Sequence, residues 1–205
     1  MTVFHTSRRE FLATSAAALL AVRGRANAAE TEILTRVDTA MGAFVIAVDP
    51  YVAPITVANY LAYVDGAHLD GGSVYRLVTM ANQPPDTRFK IEVVQWGMNL
   101  PDGKNPPFPP IAHETTRDTG MKHLDGTVSM ARSAPGSAAS EFFICIGDQP
   151  ELDFGGRRNP DGQGFAAFGR VVKGREIVSL LHRLAQAQQF LANPIPIRQV
   201  RRVPA

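Results

Sequence analysis

Apolar and polar residues alternate along several short stretches of the chain, which is the pattern of half-buried β-strands. The first two are Ile33 to Val37 and Ala43 to Val48, and Met41-Gly42 between them predicts the turn of an antiparallel hairpin. Further strands are predicted at the remaining short apolar stretches, which are residues 74–78, 91–95, 127–131, 142–146, 165–172 and 197–203. The sequence therefore predicts a mainly β protein.

Two other stretches have the spacing of amphipathic helices. The first begins at Pro54 and ends at Gly66, with apolar residues at positions 57, 60, 61 and 64. The second has apolar residues at positions 177, 180, 181 and 184, and its pattern extends towards Leu191. Two helices among many short strands favour an antiparallel barrel over βαβ units, and the first helix is expected to cover one barrel opening.

The stretch from Gly126 to Ile146 combines two short strands with a loop of small residues. Its second strand, from Phe142 to Ile146, is apolar on both of its alternating faces. One face is therefore expected to lie in a core and the other against a covered surface or a pocket. Residues 99–110 contain five prolines and predict a long loop.

The first 28 residues have the features of an export signal. Ser7-Arg8-Arg9-Glu10-Phe11-Leu12 is a twin-arginine signature, and an apolar run and the cleavage pattern Ala26-Asn27-Ala28 follow it. The alternatives are an amphipathic helix or a membrane anchor, but the apolar run is too short for a hydrocarbon core of ~30 Å. We expect residues 1–28 to be a removable signal peptide, residues 29–205 to form one domain, and the protein to be periplasmic or secreted.

Removing this leader changes the charge balance. Without its four arginines and one glutamate, 17 basic residues stand against 18 acidic ones. This balance gives no reason to expect a nucleic-acid partner, and no membrane association is expected after cleavage. Cys145 is the only cysteine, which excludes an intramolecular disulfide, and its apolar strand predicts a packed thiol.

Several short motifs together resemble one known family. The SMAR and SEFFI sequences at 129–132 and 140–144 resemble the SMAN and SQFFI core of the cyclophilin-type peptidyl-prolyl isomerases. DGGSVYR at 70–76, VQWG at 94–97, ELD at 151–153 and FAAFGRV at 165–171 resemble that family's YDGT-x-FHR, QGG, WLD and VFGKV, in the same order. The resemblance implies a closed eight-stranded antiparallel barrel capped by two helices. It also implies a monomeric enzyme without cofactor or metal that acts on proline-containing segments of client proteins.

The resemblance also implies roles for individual residues. Arg76 matches the catalytic arginine, Gln95 matches the glutamine that orients it, and six further residues match the substrate-binding pocket: Val93, Met130, Ala131, Phe143, Leu152 and Phe165. Rotation about an X-Pro bond needs an apolar pocket for the ring and a cationic donor for the prolyl nitrogen. Strict strand alternation would place Arg76 on one face with Val74 and Val78.

Three glutamates depart from the family pattern. Glu92 stands where most members have Phe, Glu141 where they have Gln, and Glu151 where many have Trp. Glu92 and Glu151 are expected to make the pocket entrance acidic and to favour Lys or Arg beside the substrate proline. This rebuilt rim leaves an alternative open, which is a cyclophilin-fold peptide-binding module with little or no turnover.

Other catalytic motifs fail on spacing. His113-Glu114 begins a zinc-type HExxH pattern, but Arg117 replaces the second histidine and the preceding segment is rich in proline. Ser129 and Ser140 have no G-x-S-x-G context and no histidine partner is apparent for them. A metallohydrolase and a serine hydrolase are therefore disfavoured.

Overall fold

The computed structural model describes residues 32–100 and 104–204, so the predicted signal peptide lies outside the described residues. Its strands are β1 (Ile33–Thr39), β2 (Gly42–Val48), β3 (Ser73–Val78), β4 (Val93–Gly97), β5 (Thr127–Met130), β6 (Glu141–Cys145), β7 (Ala166–Lys173) and β8 (Phe190–Val203). They close into an antiparallel barrel in the order β1-β2-β7-β5-β6-β4-β3-β8. The predicted eight-stranded barrel is confirmed.

Within residues 32–100 and 104–204, three α-helices accompany the barrel: α1 (Pro54–Asp65), α2 (Thr116–Thr119) and α3 (Arg175–His182), with a 3-10 turn at Pro150–Leu152. α1 and α3 are the two predicted helices, whereas α2 was not predicted. None of the helices in residues 32–100 and 104–204 combines the length and hydropathy that a membrane crossing requires.

The last helix and the last strand differ from the prediction in their bounds. α3 ends at His182 instead of continuing towards Leu191, and β8 begins at Phe190 instead of Ile197. The reason is tertiary pairing, because Phe190 lies opposite Arg76 and Ile195 opposite Val74 in β3. Proline is tolerated in this strand because its carbonyl still pairs: the carbonyl of Pro196 accepts a 3.0 Å bond from the amide of Ala40.

Aromatic side chains fill the barrel interior. Trp96 from β4 and Phe142 from β6 lie 5.1 Å apart between ring centroids, and Tyr60 from α1 lies 5.3 Å from Phe142. Phe44 and Phe168 complete the group, and all five side chains are almost fully buried. α1 therefore covers the barrel by inserting Tyr60 among the aromatic rings.

The outer face of β4 and β6 carries a second apolar group, called here the outer cluster. It consists of Val78, Ile91, Val93, Phe143, Cys145 and Leu152, against which Ala131 and Phe165 pack. Both faces of β6 are thus covered, as its sequence predicts. Cys145 is fully buried in this cluster, so the predicted packed thiol is confirmed.

A β-bulge at Tyr75 breaks the alternation of β3. Val74 pairs with Trp96 and Arg76 pairs with the adjacent Gln95, so Tyr75 is an extra residue on its strand. Val74 and Leu77 consequently face the interior, while Arg76 lines a cavity on the outer face. The expectation that Arg76 shares a face with Val74 is wrong because that expectation assumed unbroken alternation.

The N-terminus of α1 is held by a side chain from a distant loop. Ala53 precedes the helix and offers no side-chain cap. Glu114 instead accepts hydrogen bonds from the amides of Ile55 at 3.1 Å and Thr56 at 2.7 Å, and from the Thr56 hydroxyl at 2.6 Å. The carboxylate satisfies free amides at the positive end of the helix, so the glutamate of the incomplete HExxH pattern has a structural role.

The aromatic interior should dominate stability. We expect Phe142→Ala to lower the free energy of unfolding by about 3–5 kcal/mol, because it leaves a cavity among the packed rings. Tyr51→Ala is the matched control, since Tyr51 is 80% exposed. Denaturant unfolding monitored by circular dichroism measures both changes. Equal losses in the two variants would contradict the assigned core.

Candidate active site

A cavity of about 220 Å³ opens on the outer face of the barrel, over the outer cluster. Seven of the eight predicted site residues line it, and these are Arg76, Val93, Gln95, Ala131, Phe143, Leu152 and Phe165. Ile91, Arg132, Arg158 and Asn159 also line it and were not among the predicted site residues. The cavity thus combines an apolar floor with polar and cationic groups at its sides.

Met130 is the eighth predicted site residue and lies elsewhere. It is 1% exposed and packs in the barrel interior together with Val128. Ala131, the next residue along the chain, is the one that lines the cavity. Neighbouring residues of an extended strand face opposite sides, so the prediction that both Met130 and Ala131 contact substrate does not hold for Met130.

Neutral groups hold the Arg76 guanidinium. Its Nη1 donates to Oε1 of Gln95 at 2.9 Å, and its Nε donates to Oε1 of Gln189 at 3.0 Å. The ring of Phe190 lies 5.5 Å from the guanidinium carbon. Within the described residues Arg76 forms no ion pair, so its positive charge is not neutralised by a protein carboxylate.

Gln189 was missed by the sequence reasoning. The second helix was expected to run on past it, whereas it lies just before β8 and faces Arg76. The glutamines of the AQAQQF sequence at 185–190, which interrupt the apolar helical pattern, were the available signal.

A chain of hydrogen bonds leads from Arg76 to a buried carboxylate. Gln95 accepts from Arg76 through Oε1 and donates through Nε2 to the Tyr75 hydroxyl at 2.6 Å, and that hydroxyl donates to Glu141. Each of these three hydrogen bonds is donated in the direction of Glu141, so its carboxylate is the final acceptor. The bulge makes this possible because it places Tyr75 and Arg76 on the same side of β3.

Glu141 is a partly buried acid without a cationic partner in the described residues. Burial raises its pKa to about 7, while the hydrogen bond from Tyr75 acts in the opposite direction. Gly97 provides the space, since a Cβ atom there would lie 2.8 Å from Oε2 of Glu141. The carboxylate therefore changes protonation near neutral pH, three hydrogen bonds away from Arg76.

Glu92 and Glu151 do not form the expected acidic rim. Glu92 lies between Ile91 and Val93, whose side chains belong to the outer cluster, and it does not line the cavity. Glu151 forms an ion pair with Arg157 at 2.9 Å outside the cavity. The expected preference for Lys or Arg beside the proline is thus not supported, because neither carboxylate faces the cavity.

Arg132 is a structural wall of the cavity. Its side chain is 1% exposed and binds Asp161 through both terminal nitrogens, at 2.8 and 3.0 Å. Its Nε also donates to the carbonyl of Gly164 at 2.8 Å, and its guanidinium lies over the ring of Phe165. Arg132 holds the pKa of Asp161 down at about 2. This pair anchors residues 153–164, here called the 153–164 segment, beside the cavity.

Ser129 has a histidine partner that the sequence reasoning did not find. Nε2 of His123 lies 2.9 Å from the Ser129 hydroxyl, and Nδ1 lies 2.9 Å from a carboxylate oxygen of Asp153. The connectivity resembles a hydrolase triad, but Ser129 is 0% and His123 1% exposed, so no substrate can reach the hydroxyl. The His123 ring stacks on Phe143 at 6.0 Å and thereby supports the cavity floor.

A family model described as cyclophilin type peptidyl-prolyl cis-trans isomerase/CLD matches residues 34–202. This match covers all eight strands of the barrel except Ile33 at the start of β1 and Val203 at the end of β8. The chain therefore belongs to the cyclophilin-type peptidyl-prolyl cis-trans isomerases. Enzymes of this type act on proline-containing peptide segments, and the resemblance found in the sequence motifs is confirmed.

Curated bacterial relatives agree with this assignment. The chain is 32% identical over 168 residues to peptidyl-prolyl cis-trans isomerase A of Dickeya dadantii, covering 82% of this chain and 78% of that one. It is 30% identical over 165 residues to peptidyl-prolyl cis-trans isomerase cyp18 of Streptomyces antibioticus, covering 80% and 91%. The protein is an enzyme of this type.

Solved structures support the fold. A cyclophilin-type isomerase of Cryptosporidium parvum superimposes with a TM-score of 0.66 at 17% identity, covering 85% of this chain and 99% of that chain. At this identity the similarity concerns the fold alone.

The buried carboxylate generates a pH prediction. The Glu141 pKa is about 7 in the folded protein against 4.5 for a free side chain. The folded state therefore binds the proton more tightly than the unfolded state, and the free energy of unfolding decreases as pH rises from about 4.5 to 7. We expect Glu141→Gln to raise the free energy of unfolding by about 2 kcal/mol at pH 8, and by little at pH 5. Denaturant titrations at the two pH values measure this.

Glu151→Gln is the control for Glu141→Gln, because Glu151 lies at the surface and its pKa is lowered by the hydrogen bond from Arg157. It should give no gain at pH 8. A gain for Glu141→Gln that is equally large at pH 5 would contradict the assigned protonation of Glu141.

Proposed function

We propose that Arg76 is the catalytic residue and that the cavity holds the substrate proline ring. Isomerisation lowers a rotational barrier of ~18–20 kcal/mol that arises from delocalisation of the amide nitrogen lone pair. A donor that binds this nitrogen as it pyramidalises stabilises the twisted amide more than either planar form. The observation that carries the proposal is an uncompensated guanidinium above the apolar floor of the cavity.

The other cavity residues have supporting roles in this proposal. Phe143 and Phe165, whose rings meet edge to face at 5.4 Å, form two sides of the ring site together with Val93 and Leu152. Gln95 orients Arg76, and Ala131 leaves room for the peptide backbone. Peptide binding and an oriented donor are sufficient for this reaction, because no covalent bond of the substrate is broken.

The alternative of a peptide-binding module with little turnover is less well supported. It was motivated by glutamates at the expected rim, but Glu92 and Glu151 do not line the cavity. The remaining departure, Glu141, keeps an acceptor where the family has the Gln side chain, and it completes the hydrogen-bond chain that begins at Arg76.

For the cellular role, we propose that residues 1–28 direct export by the twin-arginine route and that residues 29–205 assist the folding of client proteins in the cell envelope. The support is the SRREFL signature and the cleavage pattern in the sequence. The near-neutral charge of the remaining chain gives no reason to expect a nucleic-acid partner, and a monomer is what the resemblance to the family implies.

Arg76→Ala tests the catalytic assignment. We expect kcat/KM on an X-Pro peptide to fall by at least an order of magnitude, since removal of one preorganised donor typically costs about 2.7–4 kcal/mol. Arg36→Ala is the matched control, because Arg36 is an exposed strand arginine paired with Asp38. A protease-free isomerisation assay gives the rates and circular dichroism the folded state. Unchanged turnover by folded Arg76→Ala protein would falsify the assignment.

The leader has its own test. Replacing both Arg8 and Arg9 by Lys should retain the precursor in the cytoplasm, because the translocase reads the paired arginines. Cell fractionation and immunoblotting of precursor and mature forms measure the effect, and the unchanged leader in a strain without the translocase is the control. Normal export in either case would exclude the twin-arginine route.

A further inference from the structure

The cavity wall has more positive charge than proline binding requires. Three arginines line it, and only Arg132 is paired with a carboxylate, that of Asp161. Arg76 and Arg158 have no carboxylate within ion-pair distance among residues 32–100 and 104–204. The cavity therefore holds two uncompensated guanidinium groups.

Arg158 is positioned by neutral oxygens. Its Nη1 donates to Oε1 of Gln83 at 3.1 Å and to the carbonyl of Phe89 at 3.0 Å. Partial burial lowers its pKa, and burial followed by repulsion from Arg158 lowers the pKa of Arg76. Both groups remain charged, so placing them close together in a partly buried cavity is unfavourable until an anion arrives.

The carboxylates around the cavity have other partners. Glu151 binds Arg157, and Asp161 binds Arg132. Glu141 accepts a hydrogen bond from Tyr75 and lines a second groove, which adjoins the cavity at Gln95 and Ala131. None of these three carboxylates pairs with Arg158. In addition, the buried Nδ2 of Asn159, next to Arg158 in the cavity wall, has no hydrogen-bond acceptor in this part of the chain.

We propose that Arg158, acting with Arg76, makes this enzyme select proline segments that carry an acidic side chain, Asp or Glu, adjacent to the proline. A guanidinium fork matches a carboxylate in shape and charge, and its binding would relieve the repulsion between the two arginines. The proposal rests on the proposed function, in which this cavity binds the proline. It reverses the preference that the glutamates suggested in the sequence.

The first experiment compares substrates with the unmodified enzyme. Acetylated and amidated peptides Ala-Glu-Pro-Ala, Ala-Gln-Pro-Ala and Ala-Lys-Pro-Ala, with the corresponding Pro-Glu, Pro-Gln and Pro-Lys series, are assayed by NMR exchange spectroscopy. We expect kcat/KM for the better Glu peptide to exceed that of its Gln counterpart about fivefold at low salt, and the difference to shrink at high salt. The Lys peptide should be poorest.

The second experiment locates the effect. Arg158→Gln should remove the Glu-over-Gln preference, and Arg158→Lys should restore part of it because the charge is retained. Arg157→Gln is the matched control, since Arg157 is the neighbouring arginine, is paired with Glu151 and does not line the cavity. It should keep the full preference. An acetylated peptide ending in proline with a free carboxylate tests whether a chain terminus serves equally well.

These outcomes separate the proposal from the function on which it rests. Equal turnover of Glu and Gln peptides by the unmodified enzyme at low salt overturns the proposal, as does an equal loss of preference in Arg157→Gln. A preference confined to the free terminal carboxylate also overturns it. Absence of turnover on all peptides would count against the proposed function, and dissociation constants of the same peptides would then decide the preference: tighter Glu binding supports it and equal binding overturns it.

Discussion

The β-bulge at Tyr75 is the constraint on which the site depends. Without it, Tyr75 and Arg76 would point to opposite faces of β3, and a charged or hydroxyl group would enter the aromatic interior. With it, the strand keeps Val74 and Leu77 in the core and places both polar residues on the outer face. The hydrogen-bond chain through Gln95 to Glu141 exists only because of this local irregularity.

The strands with regular alternation were predictable from the sequence, and the irregular one was not. In β6 the interior and exterior residues follow from parity alone, and the motifs identified seven of the residues that line the cavity. Parity also shows that Met130 and Ala131 cannot both face the cavity. The bulge has no such signal, because no glycine or proline marks it. The extent of β8 was missed because strand pairing overrides the local effect of Pro194 and Pro196.

Electrostatics were the least predictable part of the site. Glu92 and Glu151 occupy motif positions, yet neither lines the cavity, and Glu151 is paired with Arg157. Arg158 lies between the matched motifs at 151–153 and 165–171, so nothing in the sequence placed it beside Arg76. Motif position predicts which backbone segments meet, whereas the net charge of a cavity depends on ion pairs between segments.

Strand β6 links stability and activity in a way that limits how this enzyme can evolve. Phe142 fills the barrel and its neighbour Phe143 forms the cavity floor, so a shift of one residue in pairing would exchange the two roles. An insertion or deletion inside this strand would thus damage both properties at once. Insertions and deletions are tolerable only in the loops that flank the strand. Substitutions that adapt the enzyme to new substrates should accumulate in surrounding segments such as 153–164, while the strand itself keeps its length.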